Sequence, residues 1–468
     1  MKNLFRVFVL LLVLGAVSCG PKSREVVILS TNDVHAHIER FAQLATAVER
    51  CRDTVDVILV DAGDRWTGNS YVDLAEDRMP ILELMNRLGY DLAALGNHEF
   101  DVGQQSLERA VAKCSFPIIC GNINCEEGAV LKPFDSSRII SRGDIKVGFT
   151  SVVTNYGPNG HPDGHDEIFE NLSFEDAVDA AVRLESEIAG RCDVKIALTH
   201  IGLDRDREVA ERSGYNVIIG GHSHDRANEV VNGVLINQAW KNLFNVGVTT
   251  IRLRGDVIEE ISFRMVPLEG YEPHAEYEAL VDGYYSNPDM LKSVGELHNG
   301  ASRVGLANMF AESVKVAADC EVGIYHYGGV RLDSLVRGSV RVADIYDLDP
   351  FGSYVAVVNM TRDELRDVII AKFNDTVNPK ESHTIDLFAT TPYTVVKGEN
   401  GDAVDVLFPE LKPLKEYKVA LGDYIFKNYL AIPKERGEVT NIKVTDTLLE
   451  MLKAGVYTPQ NELLQSIK

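Results

Sequence analysis

Residues 26–35 read Val26-Val27-Ile28-Leu29-Ser30-Thr31-Asn32-Asp33-Val34-His35, an apolar, β-branched run that passes directly into polar side chains. A short apolar run bounded by polar turn formers is the pattern of a buried strand. The figure recurs at Val57 to Val60 before Asp61-Ala62-Gly63-Asp64, and at Leu92 to Leu95 before Gly96-Asn97-His98-Glu99. It recurs again at Val194 to Leu198 before Thr199-His200, and at Val217 to Ile219 before Gly220-Gly221-His222-Ser223-His224. Between the runs, Phe41 to Cys51 and Met79 to Leu88 carry apolar residues at helical spacing. Such alternation predicts an α/β layered domain with largely buried strands. Ligands of α/β folds bind beyond the carboxyl ends of the strands, so the five polar clusters are expected to converge on one site.

Those clusters hold five of the twelve histidines, with Asp33, Asp64 and Asn97, and no cysteine. Imidazole, carboxylate and amide oxygen suit divalent Zn, Mn, Fe or Co better than Ca, Mg or an iron–sulfur cluster. Asp33 and His35 are two apart, so a strand continuing through them would turn both toward one ion, and His222 and His224 share that spacing. Asp64 is placed to bridge two ions, with Asn97 and His200 completing the second set. Two cations about 3.5–4 Å apart hold a hydroxide between them and grip the attacking and leaving oxygens of a phosphoryl group, which predicts phosphate-ester hydrolysis. His98 has Asp101 three residues later, a spacing at which one helical turn lets the carboxylate orient the imidazole. As imidazolium, His98 would steady the phosphoryl oxygens and protonate the leaving alkoxide. One histidine at a strand end is commonly structural, but seven candidate ligands in five such clusters would need seven separate explanations. His37, His161, His165, His274, His298, His326 and His383 read as surface or loop residues.

The motifs, in their order and context, resemble the 5'-nucleotidase family of calcineurin-like dimetal metallophosphoesterases, which includes the UDP-sugar hydrolase type. The carriers are Ser30-Thr31-Asn32-Asp33-Val34-His35, Gly63-Asp64, Gly96-Asn97-His98-Glu99-Phe100-Asp101, Thr199-His200 and Gly221-His222-Ser223-His224. The resemblance implies a four-layer αββα sandwich followed by an α/β or α+β substrate-binding domain. It implies that Asp33, His35, Asp64 and His224 hold one ion and Asp64, Asn97, His200 and His222 the other, with His98 and Asp101 as the catalytic dyad. In the second domain it points to Arg303 and Asn308 in Arg303-Val304-Gly305-Leu306-Ala307-Asn308, Arg331 in Gly328-Gly329-Val330-Arg331, and Phe351 in Pro350-Phe351-Gly352 as substrate contacts. Guanidinium forks fit phosphate oxygens, which agrees with the arginines. This domain also departs from the family pattern. His326 and Tyr327 stand where Asn-Gly is usual, Ser353 replaces the Asn after Pro-Phe-Gly, and Gly422-Asp423-Tyr424-Ile425-Phe426 occupies the place of Gly-Gly-Asp-Gly-Tyr. Tyr424 and Phe426 are the aromatics left there to stack a base.

The chain has 468 residues, more than one hydrophobic core usually holds, and no low-complexity tract. The resemblance and the pattern breaks divide it into 26–270 for the dimetal domain, 271–298 for a linker helix and 299–468 for the substrate-binding domain. The strand pattern stops between Leu268 and His298, where Ala275 to Tyr285 reads as helical. Beyond it come a helix from Val304 to Ala317, strands at Val322 to Tyr327 and Tyr354 to Met360, and a Thr361/Glu364 capping box opening a helix to Phe373. A formal charge of −23 repels nucleic acid and anionic bilayer surfaces, so nucleic acid is not an expected partner and any membrane attachment must come from lipid rather than charge.

Residues 1–18 have secretory-signal architecture: basic Lys2 and Arg6, an apolar run from Val7 to Leu14, then small residues. Ala16-Val17-Ser18-Cys19-Gly20 resembles a lipobox, so Cys19 is expected to carry the lipid that holds an exported protein at a bacterial membrane, facing periplasm or exterior, with 19–25 as tether. The other cysteines, Cys51, Cys114, Cys120, Cys125, Cys192 and Cys320, form no CxxC pair, and both one short disulfide loop and scattered thiols are open to them. The resulting expectation is an exported, membrane-anchored phosphohydrolase acting on nucleotides. The alternatives are the same chemistry on cyclic nucleotides, nucleotide sugars or a non-nucleotide ester, or a non-catalytic nucleotide-binding lipoprotein.

Overall fold

The computed structural model describes residues 23–157, 159–376, 382–429 and 431–468; the expected signal peptide and Cys19 lie outside them. The five apolar runs are strands, at Ser23–Thr31, Val57–Asp61, Leu92–Ala94, Val194–His200 and Val217–Gly220. They belong to two six-stranded sheets. One runs Val257–Pro267, Asn245–Arg254, Ser23–Thr31, Val57–Asp61, Leu92–Ala94, Ile118–Ile119; the other runs Arg226–Val231, Val234–Ala239, Val217–Gly220, Val194–His200, Ile145–Val153, Ser137–Arg142. The central strands of both are parallel; antiparallel strands close both edges of the second sheet and one edge of the first, whose other edge strand, Ile118–Ile119, pairs in parallel.

Alternate residues of each central strand enter different cores, which is why the runs are apolar at every position. Val26 and Ile28 face the other sheet, against Phe149, Ile196 and Leu198, whereas Val27 and Leu29 pack on Leu44 and Val48 of the helix Phe41–Arg52. On the far side, Ala197 and Ile218 pack on Leu184 and Ile188 of the helix Ala177–Ile188. The layers are therefore helix, sheet, sheet, helix. Ile28 and Leu198 are fully buried, each contributing about 1.5–3 kcal/mol of hydrophobic stabilisation. Parallel register brings the strand ends level, with Thr31 beside Asp61, Asp61 beside Ala93, and Thr199 beside Gly220.

The second body centres on a five-stranded sheet ordered Leu387–Ala389, Val322–His326, Glu416–Gly422, Tyr354–Thr361, Gly437–Lys443. The helix Arg303–Ala317 starts at Ser302, whose hydroxyl accepts from Gly305 N–H, and Arg362–Phe373 opens on the Thr361/Glu364 capping box. One correction concerns the stretch expected to lack strands: Ser293–Leu297 is a strand, paired with Gly338–Arg341 and Val456–Tyr457. Its partners lie 40 or more positions away, so no local pattern announced it. The two bodies touch beside the site, where Ser70 N–H donates to Asp347 Oδ1 at 2.5 Å and Lys427 lies 3.8 Å from Glu167. Among the described residues all six cysteines are free thiols.

Candidate metal centre

The five strands deliver their polar clusters to one place, but not as extended chain. Pairing with the second strand ends at Thr31, and Asp33 and His35 have φ of 51° and 49°, in the left-handed region. His222 and His224 are left-handed as well, at 79° and 54°, and so is Asp64 at 56°. The expectation that alternate residues share a strand face is therefore corrected. Asp33 and His35 meet because a turn folds them together, while His222 and His224 point to different donor groups. Each such residue costs about 1–3 kcal/mol and persists only where its surroundings over-determine it. Here they do. Asn32 donates to Asp33 Oδ2 at 2.6 Å and Trp240 O at 2.7 Å, while its carbonyl accepts from Ala239 N–H. Gly63 (φ +95°) lets the second and third strand ends touch, for a Cβ there would lie 2.6 Å from Gly96 N, and a methyl on Gly96 would overlap the Asp64 carboxylate.

Three donor groups result: Asp33, His35 and His224; His35, Asp64 and His98; and Asp64, His200 and His222. Asp64 belongs to the last two, its Oδ2 3.0 Å from His200 Nε2 and 3.9 Å from His35 Nε2. Asn97 Oδ1 lies 2.8 Å from His222 Nδ1 and so joins the third group. His200 Nδ1–H donates to Ala62 O at 2.8 Å and His35 Nδ1–H to Thr67 O at 3.1 Å, which turns both Nε2 atoms toward the centre. A carbonyl behind an imidazole is the usual support of a metal-binding histidine. His200 Nε2 is buried and has no aligned hydrogen-bond partner among the described residues, its approach to Asp64 being close but off-angle.

Electrostatics points the same way. Burial pushes Asp33 up to about 7, whereas the imidazoles of His200, His98 and His35 overrule burial and hold Asp64 well below the usual carboxylate range. Burial would lower His200, but Asp64 and Asp33 raise it to about 10. Two fully buried carboxylates thus draw positive charge to a spot that also offers neutral imidazoles, since burial and cationic neighbours keep His35 and His224 well below 6.5. The donor set fits divalent N/O-preferring cations.

His98 stands beside these groups. Its backbone N–H donates to Asp64 Oδ1 at 2.9 Å and its Nδ1 to Asp101 Oδ2 at 2.7 Å. Against burial, which lowers it, Asp101 and Asp64 raise the imidazole's pKa. The Phe351 ring lies 5.9 Å from the His98 ring, and the Arg331 guanidinium 5.6 Å from that of Phe351. Arg331 is close enough to depress proton binding at His35, His98 and His224.

Two family models match the sequence, calcineurin-like phosphoesterase over residues 26–226 and 5'-nucleotidase C-terminal domain over residues 286–432. The chain joins a calcineurin-like phosphoesterase domain to a 5'-nucleotidase C-terminal domain. Every candidate ligand and the His98–Asp101 pair fall in the phosphoesterase match. Protein UshA of Yersinia enterocolitica is 24% identical over 85% of this chain and 84% of its own length. The endonuclease YhcR of Bacillus subtilis is 26% identical over 88% of this chain, which spans only 38% of that protein. A 5'-nucleotidase precursor from Thermus thermophilus has the same fold, with a TM-score of 0.82 at 19% identity over 95% of this chain and 99% of its own.

The remaining sequence-predicted residues lie in the 5'-nucleotidase C-terminal domain. Arg303 donates to Val330 O at 3.1 Å and Tyr327 O at 3.2 Å, bracing the loop that carries Arg331. Asn308 donates its amide to Gln460 O and Glu462 O, tying its helix to the carboxyl-terminal segment. Tyr424 stacks on His326 at 5.1 Å, and its hydroxyl lies 3.4 Å from Asp163 of the phosphoesterase domain. His165, read as a bland loop residue, instead reaches across to Asp423 at 3.5 Å. His161 is buried and stacked on Phe169 rather than at the surface.

Some supporting residues of the phosphoesterase domain escaped sequence reasoning. The buried Glu99 carboxylate accepts from the amides of Asp64 (3.0 Å), Arg65 (2.8 Å) and Gly96 (2.5 Å), clamping two strand ends together. Fully buried Arg65 in turn donates to Asp61 Oδ1 and Ala94 O. The one signal was Glu99's place within Gly96-Asn97-His98-Glu99, where attention goes to the histidine.

Proposed function

We propose that this chain is a metal-dependent phosphohydrolase that releases phosphate from nucleotides, working outside the cytoplasm from a lipid anchor at Cys19. The observation that carries the reaction is the meeting of three donor groups, each with two buried members and one half-buried histidine, with the His98–Asp101 pair. Asp33, His35, Asp64 and His224 would hold one divalent cation, and Asp64, Asn97, His200 and His222 a second. Bound there, such ions supply Lewis acidity toward phosphoryl oxygens and toward water.

The chain's own groups do the rest. Arg331 presents a guanidinium fork to phosphate oxygens beside the dyad. His98, oriented through Nδ1 by Asp101, keeps Nε2 toward the centre to protonate the departing alkoxide. Phe351, 37% exposed beside His98, offers an apolar face to the organic part of the ester. The family match of the second domain supports a nucleotide as that ester. The apolar run and Ala16-Val17-Ser18-Cys19 support export and lipidation.

The test is phosphate release from nucleoside 5'-monophosphates, cyclic nucleotides, nucleotide sugars and non-nucleotide monoesters, before and after chelation and with Mn restored. We expect Mn-restorable release, fastest from the 5'-monophosphates. Preference for another ester would overturn the nucleotide assignment, and turnover that survives complete chelation would overturn the metal dependence.

A further inference from the structure

We infer that Thr67 is a positioning residue for the proton donor and that Arg78 sets the direction in which it acts, an inference that rests on His98 being that donor. Thr67 Oγ1 lies 2.6 Å from Asp101 Oδ2, the same oxygen that receives His98 Nδ1 at 2.7 Å. Arg78 Nη1 lies 3.0 Å from Thr67 Oγ1. A guanidinium has donors only, so the threonine oxygen accepts from Arg78 and its single hydrogen is left for Asp101. The carboxylate oxygen then accepts from two sides. His98 must keep its hydrogen on Nδ1, and Nε2 becomes the nitrogen that exchanges a proton with substrate.

Arg78 is held in turn. Its Nη1 lies 3.1 Å from Asp73 Oδ1, and the Asp73 carboxylate also accepts from the amides of Thr67 (2.9 Å), Gly68 (2.7 Å) and Asn69 (3.0 Å). Thr67 is fully buried and Arg78 is 5% exposed, so bulk water does not compete for these bonds. The other end of Thr67 touches the donor groups, for its carbonyl accepts from His35 Nδ1 at 3.1 Å. One residue thus addresses both a candidate ligand and the dyad.

The backbone supplies an independent reason. Thr67 has φ of 70°, in the left-handed region, where a β-branched residue is a genuine outlier costing about 1–3 kcal/mol. Glycine or asparagine would sit there at lower cost. Neither offers a hydroxyl that accepts from Arg78 while donating to Asp101.

The test compares Thr67→Val, Thr67→Ser and His98→Asn, Mn-loaded, on phenyl phosphate and p-nitrophenyl phosphate. The esters are similar in shape, but phenolate is the more basic leaving group and depends more on proton donation. Valine keeps the branch and volume and deletes the hydroxyl. We expect Thr67→Val to lose roughly 10- to 100-fold in kcat on phenyl phosphate, the scale of a lost supporting hydrogen bond. The rate on p-nitrophenyl phosphate, KM and bound metal should stay close to wild type, and Thr67→Ser should restore the rate. Should valine melt too early to assay, Thr67→Ala reads the same selectivity. Equal losses on both esters, or loss of metal, would make Thr67 merely structural and overturn the inference. If His98→Asn shows the selective loss and Thr67→Val does not, the inference falls and the general-acid reading stands; if neither shows it, both fall.

Discussion

Asp64→Ala is expected to abolish phosphate-ester hydrolysis while the protein stays folded. Asp64 is the carboxylate common to two of the donor groups, fully buried between His200 at 3.0 Å and His35 at 3.9 Å. A ligand shared in this way removes charge from both halves of the centre when it is lost. Lewis-acid stabilisation of a phosphoryl transition state is worth several kcal/mol, and each 1.4 kcal/mol is about a factor of ten, so the loss should exceed roughly 1,000-fold. The fold should tolerate the change, because the residue's amide is held by Glu99 rather than by its own side chain, and because its charge is among those that raise Asp33. Phosphate release with Mn present, measured beside a thermal melt, checks both halves. Near-full activity in a folded variant would refute the shared role.

The second large effect is on rate without effect on metal. His98 commits Nδ1 to Asp101 and its backbone N–H to Asp64, and its Nε2 stands 3.9 Å from Asp64 Oδ2. Asparagine in its place leaves Asp33, His35, His224, His200 and His222 untouched. His98→Asn should therefore bind as much Mn as wild type while kcat on an alkyl phosphate falls about 100- to 10,000-fold, the range for a lost general acid. Metal analysis and steady-state kinetics on one preparation separate the possibilities. A large loss of bound metal would make His98 a ligand.

What the sequence showed and what it hid follow from chain distance. The strands and the convergence of the seven candidate ligands were readable because each cluster directly follows an apolar run, and parallel register then carries the strand ends to one level. The way Asp33 and His35 meet was not readable. The period-two rule needs a strand, pairing stops at Thr31, and the left-handed turn beyond it is imposed by Asn32 and its contacts with residues 239 and 240. Thr67 and Arg78 were invisible as supports because an isolated threonine or arginine has many uses, and Glu99 was marked only by its place beside His98. Arg78 meets Thr67 only after residues 76–78 turn, with Asp77 and Arg78 at positive φ. His165 misled for the same reason, since its carboxylate partner, Asp423, is 258 positions away in the other domain.

Whether these strand ends together hold a pair of divalent cations is read from anomalous scattering by crystals of the Mn- or Zn-loaded protein. Two anomalous peaks per chain are expected, one among Asp33, His35, Asp64 and His224, the other among Asp64, Asn97, His200 and His222. A single peak, or ions bound away from these residues, would contradict the paired centre.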